Sequence, residues 1–320
     1  MRIKADMLFF ATTIDGLQMG LCFAVLALGV YLSYSILDFP DLSVDGTFPL
    51  GGVCCTIMML KLGMPPIPAV LLTFFVGLIA GTVTGVLHVK FNISKLLSGI
   101  IVMTALLSVT LALTTLLTEN GQTTTIFSYR SRDLESIFSG KLANLFGRGG
   151  KDYMILVILL VIAIIVKILI DLFMKTKLGY MLRATGDNEK LVVSLGKDVG
   201  NYKILGIALA NGFVAVSGAL YAHLYMQYDN TSGSGKVVLA LASVIIGLAI
   251  FSHLRIFKDT TAVIFGAVIY SLCLNYLVLV DPNGIYLKLL NAVLFALILV
   301  LNDKTASFFS ARSKLRRGAK

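Results

Sequence analysis

The sequence predicts an all-α, polytopic membrane protein of roughly eight to ten transmembrane helices, nine being the best count. Three observations carry that prediction. Of the 320 residues, 57% are hydrophobic and 14% charged, with a mean hydropathy of +0.90; ordinary soluble domains carry roughly 25% charged residues. Apolar runs of about 20 residues recur along the chain, each long enough to cross roughly 30 Å of hydrocarbon as a helix. Barrel-like alternation is absent, and backbone groups in lipid must be satisfied internally, so the runs read as helices.

In chain order the predicted spans cover about 14–37, 46–60, 67–87, 96–118, 153–174, 202–226, 237–252, 260–280 and 286–302. Residues 1–13 lack an apolar core and a small-residue cleavage site, so the first span is expected to stay in the mature protein. Asp38, Asp41 and Asp45, with Pro40, Pro49, Gly46, Gly51 and Gly52, interrupt apolar sequence between the first two spans. That stretch reads either as a surface loop or as a discontinuous helix lining a water-filled path, where broken backbone at membrane depth is tolerated. Asp41, Ser43, Asp45 and Gly46 are its candidate pathway residues, because three carboxylates so close together resist desolvation. Gly77, Gly81 and Gly85, and later Ala215 with Ala219 and Gly218 with Ala222, have small-xxx-small spacing and are expected to pack helices closely. Lys167 and Asp171 lie one turn apart within a span and read as an anchor near the membrane end, with a coupling role as the alternative.

Basic residues set the expected orientation. Residues 88–95, 175–203, 252–258 and 304–320 hold sixteen Lys/Arg and the opposite side ten, with Lys167 inside a span. The positive-inside rule then puts the N-terminus outside and the C-terminus in the cytoplasm. The expected organisation is one transmembrane domain, 1–303, and a basic cytoplasmic tail, 304–320. The domain carries a polar cytoplasmic segment at 175–203 and an outer loop at 119–151. The net charge of +10 is explained by this bias and by anionic lipid headgroups, and no nucleic-acid partner is expected.

Several chemistries are excluded. Cys22, Cys54, Cys55 and Cys273 fall in apolar runs without metal-ligand spacing, so neither a metal site nor a disulfide framework is expected. His88, His223 and His253 are isolated near span ends, where interfacial placement is expected. Gly233, Ser234, Gly235 and Lys236 resemble the end of a phosphate-binding loop, but the preceding glycine position is Asn230 and the following hydroxyl position is Val237. They are read as an outer turn. No catalytic residues, cofactor or nucleotide-binding motif are expected, so the chain does not read as an enzyme.

Two stretches carry a family resemblance. D-L-S-V at 41–44, followed by Gly46, is similar to the G-I-D-L-S-V-G stretch of ribose-type sugar permeases. G-Y-M-L-R-A-T-G-D-N, ending in Leu195 and Gly196, resembles the G-x-x-L-R-A-x-G-x-N stretch of the same superfamily: the permease subunits of ATP-binding-cassette (ABC) importers for branched-chain amino acids and related solutes. The wider stretch 38–52 most resembles the branch associated with tryptophan/tyrosine-type binding proteins. Val192 and Lys197 depart from the family's Ala and Ile. The resemblance spans nearly the whole chain. It implies a permease in a bacterial inner or cytoplasmic membrane that carries a small polar solute, an amino acid being favoured. Its implied partners are an ABC ATPase, which would use the ATP, an extracytoplasmic binding protein, and a second permease chain forming a homodimer. Gly179, Leu182, Arg183, Ala184, Gly186, Asn188, Glu189 and Gly196 would form the ATPase-coupling helix, with Gly179 and Gly186 at its ends, Leu182 buried, and Arg183 and Asn188 facing the ATPase. The loop 119–151, with Thr123 to Thr125 and the Arg130, Arg132, Asp133 and Glu135 cluster, reads either as a receptor for the binding protein or as a plain solvated loop.

The alternative is an ion-coupled secondary transporter using Asp41 and Asp45, which would have no use for the 179–196 motif. An intramembrane enzyme would need a nucleophile and base, and Ser217 and Ser271 have no such partner at helical spacing.

Overall fold

The computed structural model describes residues 2–118, 126–128, 136–138, 151–251, 257–280, 286 and 289–300. Helix α1 (Arg2–Val30) continues through a π-helical turn, Tyr31–Ile36; then come α2 (Val44–Leu60), α3 (Pro66–Val89), α4 (Lys95–Thr114) and strand β1 (Ile126–Ser128). Helices α5 (Lys151–Met174), α6 (Lys177–Asp187), α7 (Glu189–Ser194) and α8 (Val199–Tyr225) follow, then strand β2 (Gln227–Asp229) and a 3-10 turn, Asn230–Gly233. The remaining described helices are α9 (Lys236–Phe251), α10 (Asp259–Val280) and α11 (Leu289–Val300). Among the described residues, seven helices are long and apolar enough to cross a membrane, and α2 and α11 are shorter apolar helices. These nine correspond to the nine predicted spans.

Two helices form the centre. The seven consecutive residues from Cys22 to Leu28 of α1 are completely buried, and α8 is buried along most of its length. Small residues make that packing possible. Gly77, Gly81 and Gly85 lie on one face of α3, and a Cβ on any of them would run into α8 at Asn211, Ile207 or Ile204. The opposite face of α3 exposes Ile67, Leu71, Phe75 and Ile79, four residues apart, as a lipid-facing stripe. Ala215 meets Gly51, and Gly218 meets the Phe48 carbonyl, so the small-residue motifs of α8 bring α2 alongside it. Van der Waals packing through small residues is the main adhesive for helices in lipid, where no hydrophobic drive separates helix from solvent.

The connections grouped by the charge rule lie at one end of the bundle. Gly200 packs on Val89, Lys95 pairs with Asp38 at 3.3 Å, and Lys258 pairs with Asp171 at 3.0 Å. Asp171 also accepts from Lys167 at 3.0 Å and from the Thr260 hydroxyl at 2.7 Å, so the pair inside the fifth span fastens α5 to the start of α10.

At the other end β1 pairs antiparallel with β2, Ile126 opposite Asp229. Most of the loop 119–151, with Thr123 to Thr125, Arg130, Arg132, Asp133 and Glu135, lies outside the described residues, as do His253 and the tail 304–320. Ser136 is described: its hydroxyl donates to the His223 carbonyl at 3.1 Å. His223 departs from the expected interfacial placement. It is buried, with Nε2 3.4 Å from the Cys55 thiol, because α2 and α8 pack too closely to leave that face wet.

Candidate functional site

The polar segment between α5 and α8 folds as two short helices whose ends are set by its own polar side chains. Thr176 caps α6, its hydroxyl accepting from the Gly179 N–H at 3.2 Å. Asn188 caps α7, accepting from the Lys190 and Leu191 N–H groups at 3.1 and 3.3 Å. Gly196, with φ of +69°, ends α7 in a left-handed turn in which the Lys197 N–H donates to the Val192 carbonyl and the Gly196 N–H to the Val193 carbonyl. That pairing satisfies carbonyls a helix end would otherwise leave open. Lys203 on α8 pairs with Glu189 at 2.6 Å and ties the second helix down.

Gly179 and Gly186 do not set helix ends, contrary to the expectation from sequence. They are sites of close approach within α6. A Cβ at Gly179 would strike the Phe173 carbonyl at the end of α5, and one at Gly186 would strike the Ile36 carbonyl in the π-turn. Leu182 lies on the same inward face, buried against Leu37 and Gly206. Asn188 is spent on its own backbone as a cap. Arg183 is exposed as a residue, yet its guanidinium lies beside the Tyr31 hydroxyl, which donates to Asp259 at 3.4 Å. The segment therefore touches the π-turn and α8 directly, and reaches the first turn of α10 through Tyr31. Ala184 is half-buried between these inward residues.

Its outward side is more apolar than the residue list drawn from the sequence. Tyr180, Leu191, Val193 and Leu195 are 63%, 51%, 62% and 58% exposed on a segment otherwise rich in Lys and Asp. Sequence reasoning missed these four, because it followed charge and glycine. The signal available was the presence of large apolar residues in a segment too short to span a membrane.

The break between the π-turn and α2 places its three carboxylates in three environments. Asp38, in left-handed backbone with φ of 52°, is exposed and paired with Lys95. Asp41 is buried and accepts from the Ser43 N–H at 2.9 Å and from Asn211 Nδ2 at 2.6 Å, while the Ser43 hydroxyl donates to Asn211 Oδ1 at 3.3 Å. Asn211 lies twelve residues into α8, about 18 Å from its start. The break therefore reaches membrane depth and is more than a surface loop. Gly46 packs on Met103 and Leu106 of α4.

Asp45 reaches across the chain to α9. Its two oxygens accept from the Gly235 N–H at 3.0 Å and the Val237 N–H at 2.8 Å, so the first turn of α2 supplies the cap of α9. The stretch read as an outer turn is folded inward, with Gly233 against the Asp45 carbonyl and Pro49. Ser43 and Asp41 are enclosed by protein in this conformation, and Asp45 is half-buried. No group of three or more His, Cys, Asp or Glu suited to a metal occurs among the described residues.

Residues 12–301 match the family described as branched-chain amino acid transport system, permease component. The chain is 36% identical over 302 residues to a tyrosine transport system permease protein of Clostridioides difficile, covering 94% of this chain and 95% of that one. It is 31% identical over 287 residues to an uncharacterized protein of Rickettsia prowazekii, covering 88% and 95%. It is 27% identical over 230 residues to a probable branched-chain amino acid transport permease, LivH, of Methanocaldococcus jannaschii, covering 70% of each. No solved structure matches the chain significantly.

Proposed function

The chain belongs to the branched-chain amino acid transport permease family, and from that premise we propose that it is the membrane-spanning subunit of a binding-protein-dependent ABC importer for an amino acid. The observation that carries the proposal is the capped helix pair at 176–197. It is held inward by Gly179, Leu182 and Gly186, and it exposes Tyr180, Leu191, Val193 and Leu195 at one end of the bundle. Four exposed apolar side chains on a rigid, basic segment fit a protein partner, since such groups mark contact surfaces. The partner proposed is the ATPase, and this end of the bundle is the cytoplasmic one.

Force from the ATPase would enter through α6. Because Gly186 and Leu182 bear on the π-turn and on α8, and Arg183 on the Tyr31–Asp259 contact, displacement of α6 moves the π-turn, α8 and α10 together. The break at Asp41, Ser43, Asp45 and Gly46 bonds α8 through Asn211 and α9 through the Gly235 and Val237 N–H groups, and is proposed to open onto the path as the bundle shifts. A second copy of the chain would supply the other wall, and a binding protein would deliver cargo at the end carrying β1 and β2. The cargo class rests on the relatives, whose names specify tyrosine and branched-chain amino acids. The membrane would be a bacterial inner or cytoplasmic membrane.

Reconstitution with a cognate ATPase and binding protein tests the proposal. ATP-dependent uptake of L-tyrosine or L-leucine supports it. Uptake by the chain without an ATPase, abolished by an ionophore, would instead establish ion-coupled transport.

A further inference from the structure

Lys236 carries a charge that no ion pair among the described residues neutralises. It is the first residue of α9, and its Nζ sits over the Phe23 ring at 4.2 Å and over the Phe48 and Tyr221 rings at 5.2 Å each. Among the described residues no carboxylate lies within ion-pair distance of it. Two acidic side chains are near, and both are otherwise engaged. Asp45 spends its oxygens on the Gly235 and Val237 N–H groups, and Asp229 accepts from the Thr231 N–H and hydroxyl, each at 2.8 Å. A helix N-terminus is itself partly positive, so an ammonium there gains nothing from the helix dipole. Aromatic faces attract a cation but supply no counter-charge. An ionisable residue inside a membrane is by default a functional one.

The rings continue from this lysine to the surface. Phe23 stacks on Tyr221 at 5.9 Å, and Tyr221 lies 4.6 Å from Tyr225, one turn further along α8. Phe23 is completely buried, Tyr221 is half-buried and Tyr225 is 36% exposed. Tyr225 ends α8 at the pole opposite the 176–197 segment. An aromatic row thus descends from that pole to a single unpaired ammonium.

We propose that Lys236 is the docking point for the carboxylate of the transported amino acid, with Tyr221 and Tyr225 lining the approach for its side chain. The chemistry is complementary: the ammonium gains the anion it lacks, and the rings offer an apolar, π-rich wall that favours an aromatic cargo. This inference rests on the amino-acid permease reading and adds to it the residue that recognises the cargo's carboxylate.

The test uses the reconstituted complex with L-tyrosine, L-leucine and tyramine, which is tyrosine without its carboxylate. Lys236→Met keeps the aliphatic stem and removes the charge. It should lower the initial rate of ATP-driven L-tyrosine uptake by roughly tenfold or more, while Lys236→Arg restores most of it. Wild-type rates in the methionine variant would make the ring contacts plain packing and overturn the proposal. Should that variant fail to assemble, the wild-type complex still decides. L-tyrosine should slow amine-directed labelling of Lys236 relative to the exposed lysines of the same chain, a ratio that corrects for reagent consumed by the free amine. Tyramine should leave that ratio unchanged, both being read by peptide mass spectrometry. Equal labelling with and without L-tyrosine, or equal protection by tyramine, refutes the site. Absence of any ATP-dependent amino-acid uptake by the wild-type complex would instead refute the permease reading beneath it.

Discussion

Gly186 of α6 lies against the carbonyl of Ile36, so close that no side chain fits between the 176–197 segment and the π-helical end of α1. Tyr31, in the same π-turn, bonds Asp259 on α10. Two contacts one turn apart thus link a surface segment to two transmembrane helices. Gly186→Leu should push α6 off this seat, at a cost of about 1–3 kcal/mol by overpacking. The spans should still insert, since α6 lies outside them. Stimulation of ATP hydrolysis by loaded binding protein should fall with uptake, and wild-type stimulation would show that the contact does not transmit force.

Arg183→Glu is expected to act through the inner contact. It places a carboxylate beside Tyr31 and its partner Asp259, replacing attraction by repulsion. Coupled transport should be lost while the complex still assembles, and Tyr31→Phe should produce a milder defect of the same kind. A complex that falls apart in Arg183→Glu but not in Tyr31→Phe would instead place Arg183 in the ATPase interface itself.

Charge on the exposed apolar face should have the opposite signature. Val193→Glu or Tyr180→Asp leaves the inward contacts of α6 and α7 untouched and should release the ATPase, read as loss of co-purification with the membrane chain's own thermal stability retained. Full retention of the ATPase in both variants would move the docking surface elsewhere.

Asn211 holds the buried carboxylate of Asp41 and is held in turn by Ser43 and the Ile207 carbonyl. Asn211→Leu removes the side-chain donor and leaves Asp41 with the Ser43 N–H. The expected loss is about 1.5–3 kcal/mol, the range for a hydrogen bond to a charged group. Thermal unfolding in detergent checks it, and Asp41→Asn should be less damaging because no charge is then stranded.

A cysteine replacing Ser43, in a background lacking the four native cysteines, tests the pathway assignment. Ser43 is completely buried in this conformation, so a membrane-impermeant thiol reagent should not reach it at rest. Reaction in the ATP-bound state is expected if the break opens onto the path. Protection in both states would leave the Asp41–Ser43–Asn211 cluster as a structural junction.

Membership of the membrane class, the apolar helices among the described residues and the place of the polar 176–197 segment follow from the sequence by itself. Each depends on local chemistry: apolar runs of spanning length, small residues four apart, and Gly196 in a left-handed helix end. The grouping of basic connections at one end of the bundle was readable for the same reason. Tertiary structure alone decided the rest. Asp45 caps a helix that begins 191 residues later, since Lys236 opens α9, and no periodicity relates the two. Lys236, read from sequence as an outer-loop charge, turns inward because the 3-10 turn before it folds onto Pro49 and the Asp45 carbonyl. His223 is dry because Gly51, Gly52 and Gly218 let α2 and α8 come together. A sequence states which groups are polar; which of them meet depends on how closely the helices that carry them can approach.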